Sequence, residues 1–257
     1  MTRNEVFGIV FVVVALWEAG WPALTLSGSL VGRWVANGGL FLIDRVLMSL
    51  VTRALPVAVA AAGAVGSGPL GKMPFWAQGV LTLLVLDLAG YARHRWYHAS
   101  AALWRIHEPH HSDVDCDLST SFRFHPVEAA IGTLTSLAGV WLLAAPASAV
   151  ALYEGLAMMI GLTGHGNIRL PGWLERAVAL VFITPGLHRT HHSTETAGQL
   201  SNYGIVFSWW DWVFRTLRDE PTPAQFGLPG QRGPAAWSLW RLLIAPLDGS
   251  RRANGSD

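Results

Sequence analysis

This chain has one cysteine and one lysine, and it has no histidine before residue 94 or after residue 192. The lone Cys116 excludes an intramolecular disulfide, a thiolate zinc site, an iron–sulfur cluster and a thiolate-ligated haem. Charged residues make up only 14% of the 257, against 51% hydrophobic, which excludes an ordinary soluble surface and fits a chain in a bilayer. The net charge is +1, so the basic excess that nucleic-acid binding needs is missing and no nucleic-acid partner is expected. There is no G-x-G-x-x-G in a β-α-β setting and no G-x-S-x-G, hence no dinucleotide fold and no serine elbow for ester hydrolysis.

What is present is histidine, in repeating patterns. His94 and His98 form H-x-x-x-H. His107, His110 and His111 form H-x-x-H-H, which recurs at His188, His191 and His192, with His125 and His165 single between the clusters. On a helix, residues three or four apart share a face, so Asp87, Tyr91, His94 and His98 fall on one stripe. Each H-x-x-H-H brings three imidazoles to one patch. Imidazole is the commonest ligand for zinc, iron, copper and nickel, and this supply exceeds what one four-coordinate ion uses. The pattern points to a two-metal centre.

Charge-poor runs locate the expected spans at 5–26, 54–71, 73–86 and 129–153, the last broken at Ala145-Pro146 and continued by 154–164 as a hairpin. A span needs about 20 apolar residues, so four to five transmembrane helices are expected. Gly63, Gly66 and Gly68 predict a loose end to the second. The N-terminus begins like a signal peptide but lacks an A-x-A-like site after its apolar run, and reads as a retained helix. Two arginine-rich stretches, 91–126 and 165–220, hold the histidines. The positive-inside rule places both on the cytoplasmic face and the N-terminus outside. Residues 219–257 read as a linker, a surface-seeking helix and a loose end, SRRANGSD. The expectation is one all-α integral-membrane domain over 1–257, in the inner or plasma membrane, with a cytoplasmic histidine-rich helical cap.

The motifs, in order, resemble the fatty acid hydroxylase/sterol desaturase superfamily. They are Asp87-x3-Tyr91-x2-His94-x3-His98, His107-x2-His110-His111, Arg123-x-His125-Pro126-x-Glu128, Gly164-His165-Gly166-Asn167, His188-x2-His191-His192 and Asn202-Tyr203-Gly204 with Trp210-Asp211 and Thr216. They cover roughly residues 80–218. Arg215 stands where the family usually has glycine before its last threonine, which puts only local loop geometry in question.

The resemblance implies that all ten histidines hold two iron ions, with zinc a common substitute. It also implies O2 as co-substrate, and hydroxylation or desaturation of a C–H bond in a lipid drawn from the bilayer: a fatty acyl chain, sterol, carotenoid or relative. A metal ligand's other ring nitrogen needs an acceptor. Asp87, Glu128 and Asp211 are the expected acids for this, with Asn167 and Asn202 able to serve, and Asp113, Asp115 and Glu195 behind them. Trp96, Tyr97, Trp104, Trp209, Trp210 and Trp212 flank the motifs, as a lipid slot or an interfacial belt. Electrons must then come from a separate reductase, ferredoxin or cytochrome. Two other readings share the residues: a membrane metal transporter or sensor, and a di-zinc lipid hydrolase.

Overall fold

The computed structural model of the chain describes residues 3–61, 69–220, 223 and 225–248. Gly63, Gly66, Gly68 and the closing SRRANGSD lie outside the described residues. In chain order the α-helices are α1 (Arg3–Gly20), α2 (Leu30–Ala61), α3 (Phe75–Ala99), α4 (Ala101–His111), α5 (Pro126–Leu143), α6 (Ala147–His165), α7 (Gly172–Ala179), α8 (Pro185–His191), α9 (Thr196–Gln199), α10 (Trp209–Val213) and α11 (Leu239–Ile244). Among the described residues there is no strand, only isolated bridges such as Pro22 with Ile168 and Ser193 with Phe226. The expectation of an all-helical chain is met.

Local chemistry sets the boundaries near the histidines. Ser100 ends α3 and caps α4, its side chain accepting from Leu103 N–H. Pro126 occupies the first turn of α5, where a missing N–H does no harm. Ala144, with φ 49°, reverses the chain after α5, and Pro146 precedes α6. Thr184 caps α8 ahead of Pro185. Short links of this kind pack α3 against α4, α5 and α6, with α1 on α6 and α2 on α5. The C-terminal ends of α3 and α6 and the N-terminal ends of α2 and α5 therefore meet at one end of the bundle.

Among the described residues three helices, α3, α5 and α6, are long and apolar enough to cross a membrane, against the four to five expected. The hairpin expected around Ala145-Pro146 is α5 and α6. Of the second expected span, 54–71, residues 54–61 belong to α2, which begins at Leu30, and residues 62–68 lie outside the described residues. Arg33, Asp44 and Arg45 interrupt the apolar run, but Arg33 is fully buried among acids, so its charge does not end the helix.

The C-terminal segment departs from its expected role as linker and surface-seeking helix. Phe226, Leu228, Ala236, Leu242 and Ala245 are buried, and Leu242 packs against Ala36 and Leu40 of α2. Gly32 and Gly39 make this approach possible. A Cβ on Gly32 would stand 2.5 Å from the Trp237 ring, and one on Gly39 would stand 2.8 Å from Leu239.

Candidate metal centre

The end of the bundle where the helices meet is built from imidazole. His94 and His98 come from the last turns of α3, His107, His110 and His111 from α4, His165 from the end of α6, and His188, His191 and His192 from α8 and its cap. All nine are buried, between 0% and 9% exposed. They divide into two groups. His94, His98, His107, His111 and His191 form one; His110, His165, His188 and His192 form the other. Within each group the candidate ligand nitrogens lie within 4.8 Å of one another. The neighbours His110 and His111 fall in different groups, and the His111 and His192 rings stack at 4.5 Å between the two.

His125 does not join them. Its Nδ1 accepts from Val127 N–H at 3.1 Å as the cap of α5, and its Nε2 lies 3.1 Å from the Leu243 carbonyl. With one nitrogen accepting and the other donating, no lone pair remains for a metal.

The proton positions test whether the cage suits cations. His94 Nδ1 is 2.9 Å from the Tyr203 carbonyl, and His191 Nδ1 is 2.6 Å from the Ser201 carbonyl. A carbonyl only accepts, so both rings carry their proton on Nδ1 and present a bare Nε2. Those two Nε2 atoms face each other at 2.9 Å. The second group repeats the arrangement. His110 Nδ1 meets the Arg123 carbonyl, His165 Nδ1 meets the Gly161 carbonyl, and their Nε2 atoms stand 3.2 Å apart. Two lone pairs cannot hydrogen-bond to each other. Two nitrogens bound at ~2.1 Å to one ion stand roughly 3.0–3.4 Å apart for octahedral to tetrahedral angles, so the spacing is that of ligands. Both nitrogens of His98, Nδ1 of His111 and His188, and Nε2 of His192 are also buried without a hydrogen-bond partner.

Protonation is not the alternative relief. Burial first, then neighbouring imidazoles, hold His107, His110, His111, His188 and His192 well below the ordinary histidine value. Burial and then His94 do the same to His191. Neutral rings are the form a metal needs.

Of the side chains expected to orient the rings, one does so directly. Glu128 Oε1 is 2.7 Å from His107 Nδ1. Asp211 acts a step back: it accepts from Tyr203 and Gly204 N–H and from Thr216, which holds the loop whose carbonyl clamps His94. Asp87 accepts from Val206 and Phe207 N–H and from the Trp210 indole, joining α3 to that same loop. Asn167 bonds the backbone of Leu24. Asn202, at φ 52°, holds Leu187 and Arg218. Neither touches an imidazole. Four clamps are peptide carbonyls, which no side-chain pattern announces. Tyr97 stacks on His107 and Trp104 packs against His98 and His111, whereas Trp96 and Trp212 are exposed.

Beside the cage lies a charged network that the histidine pattern did not reveal. Arg33 of α2 bonds Asp113 at 2.5 and 3.0 Å and Asp117 at 2.6 Å. Asp115 accepts from Ser27 and Gly28. Arg123 donates to the Pro109 carbonyl, Asn37, Ser112 and the Ala236 carbonyl, while its own carbonyl holds His110. Burial raises the Asp113 carboxyl, but Arg123 and Arg33 outweigh it and bring it down to about 2. The alternation Asp113-x-Asp115-x-Asp117 and the isolated Arg33 were the available signals. Arg123 and Arg189, which lie in the two arginine-rich stretches, are buried.

Comparison with known proteins agrees with this geometry. The chain is 32% identical to ornithine lipid hydroxylase OlsE of Rhizobium tropici over 177 residues, covering 68% of this chain and 52% of that protein. It is 27% identical to alkylglycerol monooxygenase of Homo sapiens over 157 residues, covering 56% of this chain and 32% of that protein. It is 26% identical to beta-carotene hydroxylase of a Paracoccus species over 132 residues, covering 50% and 81%. The chain thus spans about half the length of the first relative and a third of the second. No solved structure matches it. The family model for fatty acid hydroxylases matches residues 79–216, more than half of the chain and every histidine in the cage, so this chain belongs to the fatty acid hydroxylase family.

Proposed function

We propose that this chain is an integral-membrane oxidoreductase that hydroxylates a C–H bond of a lipid, with O2 as co-substrate and a pair of iron ions held by nine histidines. The observation that carries this is the pairing of bare Nε2 atoms, His94 with His191 and His110 with His165, in two adjacent buried groups. Hydroxylation is favoured over desaturation because the relatives named above are hydroxylases or monooxygenases. The substrate class remains that of a bilayer lipid. When bound, the iron pair would supply O2 activation.

The chain's own residues do the rest. The carbonyls of Tyr203, Arg123, Gly161 and Ser201 fix the imidazole tautomers, and Glu128 orients His107. Tyr97, Trp104 and Phe124 pack apolar rings against the cage and exclude water, as so reactive a centre requires. Among the described residues Glu128 is the acid set against a ligand ring, so the centre would keep most of its positive charge.

The proposal extends to topology. Taking α1 and α2 with α3, α5 and α6 gives five spans in one domain, with the cage on the cytoplasmic side. Exposed Arg95 and Arg105 lie on that side, where a separate reductase, ferredoxin or cytochrome would dock. Zinc is a substitute the imidazoles would accept. A transporter would place its ligands along a mid-membrane path, whereas these are sealed at the helix ends.

The test is lipid profiling of membranes with the wild-type chain and with His110→Ala, alongside metal analysis. Loss of a hydroxylated lipid and of about two irons per chain in the variant is the expected result. Equal lipid changes from both proteins would end the proposal.

A further inference from the structure

Two cavities lie away from the imidazoles. The larger, about 880 Å³, runs between the C-terminal half of α1 and the start of α2, against Ala15, Ala19, Leu26, Val31 and Trp34. Glu18 and Asn167 are its polar edge. Both are already engaged: Glu18 accepts from Leu118 and Asn167 N–H, and Asn167 bonds Leu24. The smaller, about 260 Å³, is ringed by Phe7, Phe11, Phe41 and Phe122, with Gly38 and Ser119. Trp34 is a wall of both.

Three facts single this region out. Trp34 Nε1 is buried and has no hydrogen-bond partner, although a buried indole N–H ordinarily finds an acceptor. A Cβ on Gly38 would meet nothing within 4 Å, so the aromatic pocket has room that the protein does not fill. The rim is apolar yet uncovered: Val31 is 73% and Val35 68% exposed, a contiguous greasy surface of the kind that marks a contact with lipid or a ligand. The larger volume lies in the range of ligand pockets. From Phe7 to Ala19 the groove follows roughly 18 Å of helix, a stretch suited to an extended acyl tail.

We propose that these two cavities form one binding site for a single alkyl chain of a bilayer lipid, divided by Trp34. The hydrocarbon end occupies the phenylalanine ring, and an ester, ether or carboxylate oxygen accepts from the Trp34 indole. The site rests on the bilayer placement proposed above but not on the metals. Most of its lining is on α1 and α2, outside the family match to residues 79–216, although Ser119, Phe122 and Asn167 fall within it.

The test is photolabelling of the full chain in phosphatidylcholine vesicles whose palmitoyl tail carries a diazirine, followed by peptide mapping. Adducts concentrated between residues 7 and 41 are expected. Gly38→Leu and Ala19→Trp fill the two halves and should each reduce them severalfold. Trp34→Phe should reduce labelling by the ester lipid more than labelling by a diazirine alkane. Competition by unlabelled palmitate or by unlabelled phosphatidylcholine separates a free-acid occupant from a phospholipid. Adducts spread evenly over the apolar helices, or undiminished in Gly38→Leu and Ala19→Trp, would overturn the site. Iron content is read on the same samples and is expected to stay at wild type, so a failure here leaves the metal centre standing.

Discussion

Glu128 offers the most discriminating single test of how the cage is held. Its Oε1 lies 2.7 Å from His107 Nδ1, and it is the one carboxylate among the described residues in direct contact with a caged ring. Glu128→Ala removes the acceptor and the charge together. Losing such an outer partner lowers metal affinity about 10- to 100-fold, equivalent to ~1.4–2.8 kcal/mol. A charge-assisted hydrogen bond of ~1.5–3 kcal/mol accounts for the same range. Glu128→Gln keeps an oxygen for the His107 N–H but drops the charge. Neutral bonds have roughly half the strength, so a loss of about 3- to 10-fold follows. The assay is iron retained per chain during a timed chelator challenge in detergent, with far-ultraviolet circular dichroism as a control for folding. Retention in Glu128→Ala within twofold of wild type, at unchanged helicity, would refute the orienting role.

Other substitutions separate ligands from bystanders. His191→Ala should lose metal and activity, whereas His125→Ala should keep wild-type metal content and forfeit only a helix cap, about 0.5–2 kcal/mol, read as a lower melting temperature. Arg33→Met leaves Asp113 and Asp117 buried without their partner and should destabilise by ~3–5 kcal/mol, measured by denaturant unfolding in micelles; a change under 1 kcal/mol would show the network to be dispensable. The metal-free protein should lose stability as pH falls through about 6.5, the unfolded histidine value. His107, His110, His111, His188, His191 and His192 titrate lower when folded, so the unfolded chain takes up protons first. Melting temperatures measured from pH 8 to pH 5.5 check the slope, and a flat profile would contradict the burial of neutral rings.

Much of the site was legible because imidazole is dear to bury and its spacing follows helical geometry. The i, i+4 pair on α3 stays together as a period of 3.6 puts it, but each H-x-x-H-H, expected to form one patch, is divided: its i, i+4 pair joins one group and its middle histidine the other. His125 is the exception, since one ring can cap a helix as readily as bind a metal, and only the fold decides. The carbonyl clamps were illegible for a simpler reason: every residue carries a carbonyl, so Tyr203 and Ser201 bear no mark of the task. The burial of Arg33, Arg123 and Arg189 was not legible either. An arginine in a membrane chain ordinarily reports an aqueous loop, but here three acids, Asp113, Asp115 and Asp117, some 80 residues away in sequence, surround Arg33. The apolar end of the chain looked detachable until Gly32 and Gly39 proved to be docking places for Trp237 and Leu239.

The near-complete enclosure of the nine rings has a consequence for biogenesis. None of the nine rings is more than 9% exposed, and the segment carrying His188, His191 and His192 packs against those on α3, α4 and α6. Under the function proposed above, metal added to the folded, metal-free protein is therefore expected to load more slowly than metal present during synthesis, which iron content per chain after the two treatments would check.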